Sequence, residues 1–197
     1  MNYNSTFFLK SIHNISKEKY NFGSEVAFIG YSNSGKSSTI NALVNKNKLA
    51  KISKIPGRTQ LINIFQVSDG VRLVDLPGYG YTTVPQHISL KWKKMVFKYL
   101  NIQKCLKGLI VIVDIRCLIK KIDKIVIDAA IFLNIPILLL LNKIDKVTWS
   151  FKNKQLYLIR AIMHSLSKNI IVELFSAKKK IGVDKLRLVV DNWLIHK

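Results

Sequence analysis

The sequence predicts an α/β fold: a mostly parallel sheet of six strands, one of them antiparallel, with helices on both faces. Three observations predict it. Short apolar runs alternate with longer stretches of helical pattern, the signature of βαβ units. Runs such as "EVAFIG" and "PILLLLN" read as fully buried strands, covered on both faces. Two further runs are joined by a tight Ser68-Asp69-Gly70 turn, a hairpin signal that places one antiparallel pair in the otherwise parallel sheet.

Taken in order, residues 1–22 form an N-terminal extension whose first twenty residues either fold onto the sheet edge or stay mobile. Residues 23–197 read as a single domain. The first buried strand is 25–30, followed by a helix over "KSSTINALV" (36–44). Residues 45–60 are polar, basic and broken by Pro56 and Gly57, so they read as a loop. The hairpin strands are "LINIFQV" (61–67) and "VRLVD" (71–75); a loop bearing Gly and Pro covers 76–85, and a helix follows over 86–101. Then come the strand "GLIVIVD" (108–114), a helix near 122–133, the strand 136–142, a helix within 151–167, the strand "IIVELFS" (170–176) and a last helix over 183–195.

Composition narrows the class. Hydrophobic residues are 49% of the chain, enough for a packed core. Lys and Arg number 32 against 11 Asp and Glu, a net charge of +21. One reading is a polyanionic partner drawn in by phosphate neutralisation. The other is the lysine, isoleucine and asparagine bias of an A/T-rich genome, and the lysines do spread along the chain instead of forming one tail. Cys105 and Cys117 have no metal-ligand spacing and fit a reducing compartment; four scattered histidines suggest no metal site either. The most apolar stretch, "AAIFLNIPILLLL", is 13 residues long and interrupted by Asn134 and Pro136, whereas a membrane span needs roughly 20. With no secretory signal visible, a soluble cytoplasmic monomer away from membranes is expected.

The chemistry begins at "GYSNSGKSS" (30–38), which fits G-x-x-x-x-G-K-[ST] between a strand and a helix. Gly30 and Gly35 allow a tight backbone turn around a phosphate, toward which successive N–H groups and the positive helix end then point. Lys36 reaches the outer phosphates, and Ser37 offers a hydroxyl to Mg²⁺. "NKID" (142–145) closes a later strand. Asp145 can accept from the N1–H and exocyclic amine of guanine, a donor pair adenine lacks; Asn142 can bond the opposite edge, and the stem of Lys143 can cover the ring. The backbone N–H of Ala177, in "FSAK", can meet the guanine carbonyl. Asp75 can hold Mg²⁺ through a water, and the N–H of Gly78 can bond the terminal phosphate. Thr59 sits in a loop able to close over the metal only when that phosphate is present, so these contacts form a two-state element. Lys36, Thr59 and Gly78 are the candidate catalytic residues, and Ser37, Thr59 and Asp75 the candidate metal ligands.

The series "GYSNSGKSS", "KIPGRTQLINIF", "RLVDLPGYGY", "GLIVIVDIR", "LLLNKIDK" and "GVDKLR" resembles the EngB/YihA/YsxC family of bacterial ribosome-biogenesis GTPases from Glu25 to the C-terminus. The resemblance implies a P-loop NTPase of the Ras-like G-domain type. It also implies a GTP/GDP switch acting in assembly of the large ribosomal subunit (rRNA and ribosomal proteins), with a link to cell division and septation. Carried over by position, Gly30, Tyr31, Ser32, Asn33, Ser34, Gly35, Lys36 and Ser37 match the family's phosphate loop. Gly57, Arg58, Thr59, Gln60 and Leu61 match its first switch, and Asp75, Leu76, Pro77 and Gly78 its second. Asn142, Lys143, Ile144 and Asp145 match its guanine motif, and Phe175, Ser176 and Ala177 its last loop. Asn142 departs from the threonine often found there; the basic excess also exceeds what the family leads one to expect.

Tyr79 stands where many such proteins place a water-orienting glutamine, and the aromatic residue is the family's pattern. One phenol hydroxyl lacks an amide's paired donor and acceptor, so catalysis must come from positioning and charge. Two sources of help are open: a K⁺ ion held partly by Asn33, which otherwise bonds its own loop, or a group supplied by the ribosome. Slow intrinsic hydrolysis is expected. Competing readings are an RNA-binding factor without useful turnover and a P-loop kinase or ATPase, the latter opposed by N-K-I-D. Trp92, Tyr79 and Tyr81 either stack on RNA or bury in the core, and "KWKKMVFK" (91–98) is either a solvated lysine face or an RNA contact. Asp114 and Arg116, in "VDIR", are expected to steady a strand-end loop.

Overall fold

A computed structural model of the chain describes residues 1–13, 22–50, 61–80, 86–117 and 119–195. In chain order the strands are β1 (Phe7–Ile12), β2 (Ser24–Gly30), β3 (Ile62–Ser68), β4 (Val71–Asp75), β5 (Leu106–Asp114), β6 (Ile137–Asn142) and β7 (Ile170–Leu174). The helices are α1 (Lys36–Leu43), α2 (Gln86–Ile102), α3 (Lys121–Phe132), α4 (Trp149–Leu166) and α5 (Val183–Ile195). All seven strands form one sheet in the order β1-β3-β4-β2-β5-β6-β7.

The sheet therefore has one strand more than the six expected. The addition is β1, which pairs antiparallel with β3 at the sheet edge. Its sequence hides it: Phe7, Phe8 and Leu9 are all exposed and only Ile12 is buried, so no alternation marks a strand. Because β3 is antiparallel to both β1 and β4, it remains the one reversed strand. The β3–β4 turn closes with Ser68 opposite Val71 across Asp69-Gly70. At the other edge β7 stops at Leu174, two residues short of the expected stretch, because Ser176 leaves the ladder to pair with Ile181.

Residue alternation along the buried strands divides the core. Ala27 and Ile29 of β2 face one side, where Trp92, Val96, Val126, Ile127, Ile159 and Met163 of α2, α3 and α4 cover them. Val26 and Phe28 face the other side, against Ile40 and Leu43 of α1 and Leu186, Val190 and Leu194 of α5. Trp92 is 7% exposed, so "KWKKMVFK" is an amphipathic helix segment whose Lys91, Lys94 and Lys98 face solvent. Helix starts are fixed locally: Thr148 Oγ1 accepts from Phe151 N (3.3 Å) ahead of α4, and Asp123 Oδ2 accepts from Lys120 N (2.8 Å) at α3. No helix among the described residues is long and apolar enough to cross a membrane.

A buried polar group sits at the N-terminal end of β2. Glu25 accepts from Tyr99 Oη (2.7 Å) and Arg72 Nε (3.3 Å), with no side chain of the three meaningfully exposed. Burial, the largest influence, raises the Glu25 carboxyl above its ordinary 4.5, against the opposing effects of Tyr99 and Arg72. A carboxyl raised in the folded state favours folding most below its unfolded value, and that contribution is lost as pH rises through the folded value. Arg72→Met removes the cation from this site, raises the folded value further and is expected to cost about 3–5 kcal/mol at neutral pH. Urea unfolding across pH should show that deficit shrinking as pH falls toward 4.5. A deficit independent of pH would show that Arg72 acts by packing alone.

Candidate functional site

The parallel strands β2, β4, β5, β6 and β7 end at one edge of the sheet, and the expected site residues gather there. Gly30 ends β2; Tyr31, Ser32, Asn33 and Ser34 form the loop; Gly35 caps α1, whose first two residues are Lys36 and Ser37. Asp75 ends β4, with Leu76, Pro77 and Gly78 following. Asn142 ends β6, while Ile144 and Asp145 open a short 3-10 turn after Lys143. Phe175, Ser176 and Ala177 follow β7. Gly57, Arg58, Thr59 and Gln60 lie outside the described residues, as does Tyr81; Leu61 immediately precedes β3.

The phosphate end is built around α1. Gly35 has φ 100°, and a Cβ there would sit 2.2 Å from Asn142 Nδ2, so only glycine fits. The Lys36 ammonium pairs with Asp75 Oδ1, both largely buried. Ser37 follows Lys36 on the first turn of α1 and Asp75 pairs with that lysine, so one hydroxyl and one carboxylate, both hard oxygen donors, belong to this end of the site. That donor set fits Mg²⁺, which takes one or two protein oxygens and fills its shell from phosphates and water. Among the described residues no three His, Cys, Asp or Glu side chains converge as a self-sufficient metal cage.

The base end is tied to the phosphate end through Asn142, which is 2% exposed. Its Nδ2 donates to Ser34 O (2.8 Å), and its Oδ1 accepts from Lys143 N (2.8 Å) and Ala177 N (3.3 Å). The amide expected at the base edge is thus engaged as a brace between three loops, and the Ala177 N–H points to it. Lys143, with φ 67°, sends its ammonium to Asn33 O (2.6 Å) and Asp114 Oδ2 (3.0 Å). Ser176 Oγ donates to Asp145 Oδ1 (2.6 Å), and this bond is the main cause holding the Asp145 carboxyl below its ordinary range. A cavity of about 530 Å³ opens among Gly35, Ser38, Asn142, Lys143, Asp145 and Ala177. Asn33 is exposed, with φ 63°, and its backbone carbonyl accepts from the Lys143 ammonium.

Tyr79 does not face this cavity. It is 3% exposed, its hydroxyl donates to Asp123 Oδ1, and its ring meets Trp92 edge-on at 5.0 Å and Tyr31 at 5.9 Å. Trp92 Nε1 donates in turn to Pro77 O (2.7 Å). Burial, then the Asp123 charge and hydrogen bond, push the phenol well above its ordinary value, so it stays protonated. The Tyr79 backbone bridges the phosphate loop, accepting from Ser32 N (2.7 Å) and donating to Gly30 O (3.4 Å). At Gly80, φ 85°, a Cβ would overlap the Tyr31 ring. Asp123 was not foreseen as a partner; the capping pattern ahead of α3 was its only sequence signal.

The comparisons agree with this architecture. The family model described as "50S ribosome-binding GTPase" matches residues 25–143. The GTP-binding protein EngB of Buchnera aphidicola subsp. Baizongia pistaciae is 66% identical over 192 residues, covering 98% of this chain and 84% of that protein. EngB of Haemophilus influenzae is 47% identical over 193 residues, covering 98% and 94%. Among solved structures, an EngB GTP-binding protein aligns with TM-score 0.67 at 21% identity, over 88% of this chain and all of that one. Era in complex with MgGDPNP and a fragment of 16S ribosomal RNA aligns with TM-score 0.65 at 22% identity, over 89% of this chain and 58% of that one. These two likenesses show a shared fold. By the family model and the close relatives together, this chain belongs to the EngB family of GTP-binding proteins.

Proposed function

We propose that the protein binds GTP and GDP with Mg²⁺ and hydrolyses GTP slowly on its own. In this reading it is a cytoplasmic, monomeric switch in assembly of the large ribosomal subunit, needed for normal division and septation. The observation that carries the nucleotide reading is a cavity lined by Gly35, Asn142, Lys143, Asp145 and Ala177 at the start of α1, at the same sheet edge where Lys36 pairs with Asp75 and Ser176 holds Asp145. Asp145, with one oxygen steadied by Ser176, is oriented to accept from guanine; an adenine ring presents no donor pair to it. Lys36 leaves Asp75 for the outer phosphates when nucleotide enters, freeing the carboxylate for the metal's shell. Mg²⁺, when bound, neutralises charge on the phosphate oxygens. Thr59, Gly57, Arg58, Gln60 and Leu61 complete the first switch, and the Gly78 N–H takes the terminal phosphate. The ribosomal role rests on the family model's description as a 50S ribosome-binding GTPase.

The buried Tyr79 supports slow intrinsic turnover. Its hydroxyl, the side chain's one polar atom, is buried and engaged by Asp123, and the residue does not line the cavity, so it neither orients water nor shuttles a proton. The missing group comes from outside the fold, with the assembled ribosomal subunit the favoured source and K⁺ beside Asn33 the other.

GTP turnover in K⁺ and Mg²⁺ should be below about 1 s⁻¹ for the isolated protein, near the low end of ordinary enzymes. It should rise when purified large subunits are added; faster turnover alone would sink the idea of an incomplete site. Tyr79→Phe should leave that turnover unchanged while lowering stability by about 1–3 kcal/mol, the cost of an unpaired buried acceptor at Asp123. A fall in turnover of about a hundredfold, the loss typical of a catalytic donor, would mean the hydroxyl does reach the phosphate. Asp145→Asn exchanges an acceptor for a donor, so GDP affinity should fall by about a hundredfold or more while xanthosine diphosphate, with a carbonyl in place of the amine, should gain. Competition against a fluorescent nucleotide reads both; unchanged GDP affinity would displace Asp145 from the base site.

A further inference from the structure

Asp114 ends β5 directly opposite Asn142 in the parallel register, one strand away from the base-reading loop. Its carboxylate is gripped from two sides. Arg116 Nε donates to Oδ1 (2.9 Å) and Nη2 to Oδ2 (2.7 Å), while the Arg116 backbone N–H adds a third bond to Oδ1 (3.1 Å). That fork fixes the carboxylate's rotation. Oδ2 then meets the Lys143 ammonium at 3.0 Å, and the same ammonium donates to Asn33 O at 2.6 Å. The side-chain exposures, 12% for Asp114 and 28% for Lys143, leave the pair partly shielded from solvent, beside an Arg116 that is 49% exposed.

We propose that Asp114 is a positioning residue for nucleotide binding, which acts by holding Lys143 in place before the ligand arrives. The inference rests on the reading that the cavity takes a guanine nucleotide. A lysine has four rotatable side-chain bonds, and a ligand that packs on its stem must first bear the entropy of ordering them. Here the stem runs between two fixed points, a backbone in the left-handed region at one end and the Asp114–Asn33 pair of acceptors at the other. Lys143 lines the cavity together with Asp145 and Ala177, so the ordered stem is presented to the ligand already in place. The carbonyl of Asn33 alone would leave the ammonium's charge uncompensated; Asp114 supplies the counter-charge. Burial on its own would raise the Asp114 carboxyl, but the Arg116 and Lys143 hydrogen bonds outweigh it and hold the group well below the usual carboxylate range, so the anchor stays ionised.

The test is a double-mutant cycle on the full chain with mant-GDP as the fluorescent probe, alongside thermal unfolding of each nucleotide-free variant. Asp114→Ala and Asp114→Asn should each weaken mant-GDP binding by about tenfold or more, the scale of a lost charged hydrogen bond, with the thermal midpoint near that of the wild type. Lys143→Ala should weaken it at least as much. The decisive comparison is Asp114→Ala within Lys143→Ala: no further loss is expected, because Asp114 has nothing left to position. Full affinity in both Asp114 variants, or an equal loss whether or not Lys143 is present, would overturn the proposal and leave Asp114 a staple of the β5–α3 loop. A wild type that binds no mant-GDP would instead overturn the guanine reading itself, and this inference with it.

Discussion

The amide of Asn142 reaches from the end of β6 to the carbonyl of Ser34 in the phosphate loop, and on its other side accepts from Lys143 N and Ala177 N. Three loops from three strands meet on this one buried side chain. Their spacing fixes the distance between the place for a base and the place for phosphates, the one dimension a nucleotide site must get right. The bond also explains a demand elsewhere in the chain: Gly35 carries no Cβ because Asn142 Nδ2 occupies that space. A buried amide left without partners would cost about 1–3 kcal/mol, so the brace forms as a unit or the site loosens as a unit. Its dependence on the parallel sheet is direct, because β2, β6 and β7 deliver their C-terminal ends to the same edge.

A second contact system joins the phosphate loop to the segment after β4. Tyr79 is hydrogen-bonded along its backbone to Gly30 and Ser32, along its side chain to Asp123 of α3, and through its ring to Trp92 of α2. Trp92 closes the circuit at Pro77. The stretch from Pro77 to Gly80 therefore cannot shift at Gly78 without disturbing α2, the phosphate loop or both. An aromatic residue in this position gives up water orientation and gains mechanical linkage. The trade suits the proposed reading, in which a partner reads the nucleotide state and intrinsic turnover is slow.

The sequence made most of this legible where chemistry restricts residue type. The motif at 30–38, Asp75, and 142–145 each need particular backbone or acceptor geometry, and each falls where the parallel strands end. Tyr79 was legible as an absence, the lack of an amide, but not as a presence: its partner Asp123 lies 44 positions away and has no spacing rule to announce it. Strand β1 was illegible for a different reason. An edge strand with one exposed face and aromatic residues on both sides of its chain carries no period-two pattern, and only pairing with β3 reveals it. Trp92 had two readings from sequence and packing decided between them, since a helix over 86–102 turns that position onto the core. Asp114 was seen as a loop staple, because its contact with Lys143 exists only through the lateral register of β5 and β6.

The charge of +21 has two separable aspects, its origin and its effect. Genome bias and a polyanionic partner both accommodate the number of lysines, yet the fold decides where the few acids go. Glu25 is buried against Arg72, Asp75 pairs with Lys36, Asp114 holds Arg116 and Lys143, and Asp123 is engaged by Tyr79. Glu173 is shared by Arg160 and Lys185, and Asp191 takes the Tyr3 hydroxyl and the amino terminus. These carboxylates are spent on internal contacts and site geometry, which leaves the solvent-facing lysines of α2, such as Lys91, Lys94 and Lys98, little acidic surface to balance them. The external field is therefore positive however the lysines arose. A polyanion approaching this protein meets that field before it meets any particular residue, so long-range attraction accelerates encounter.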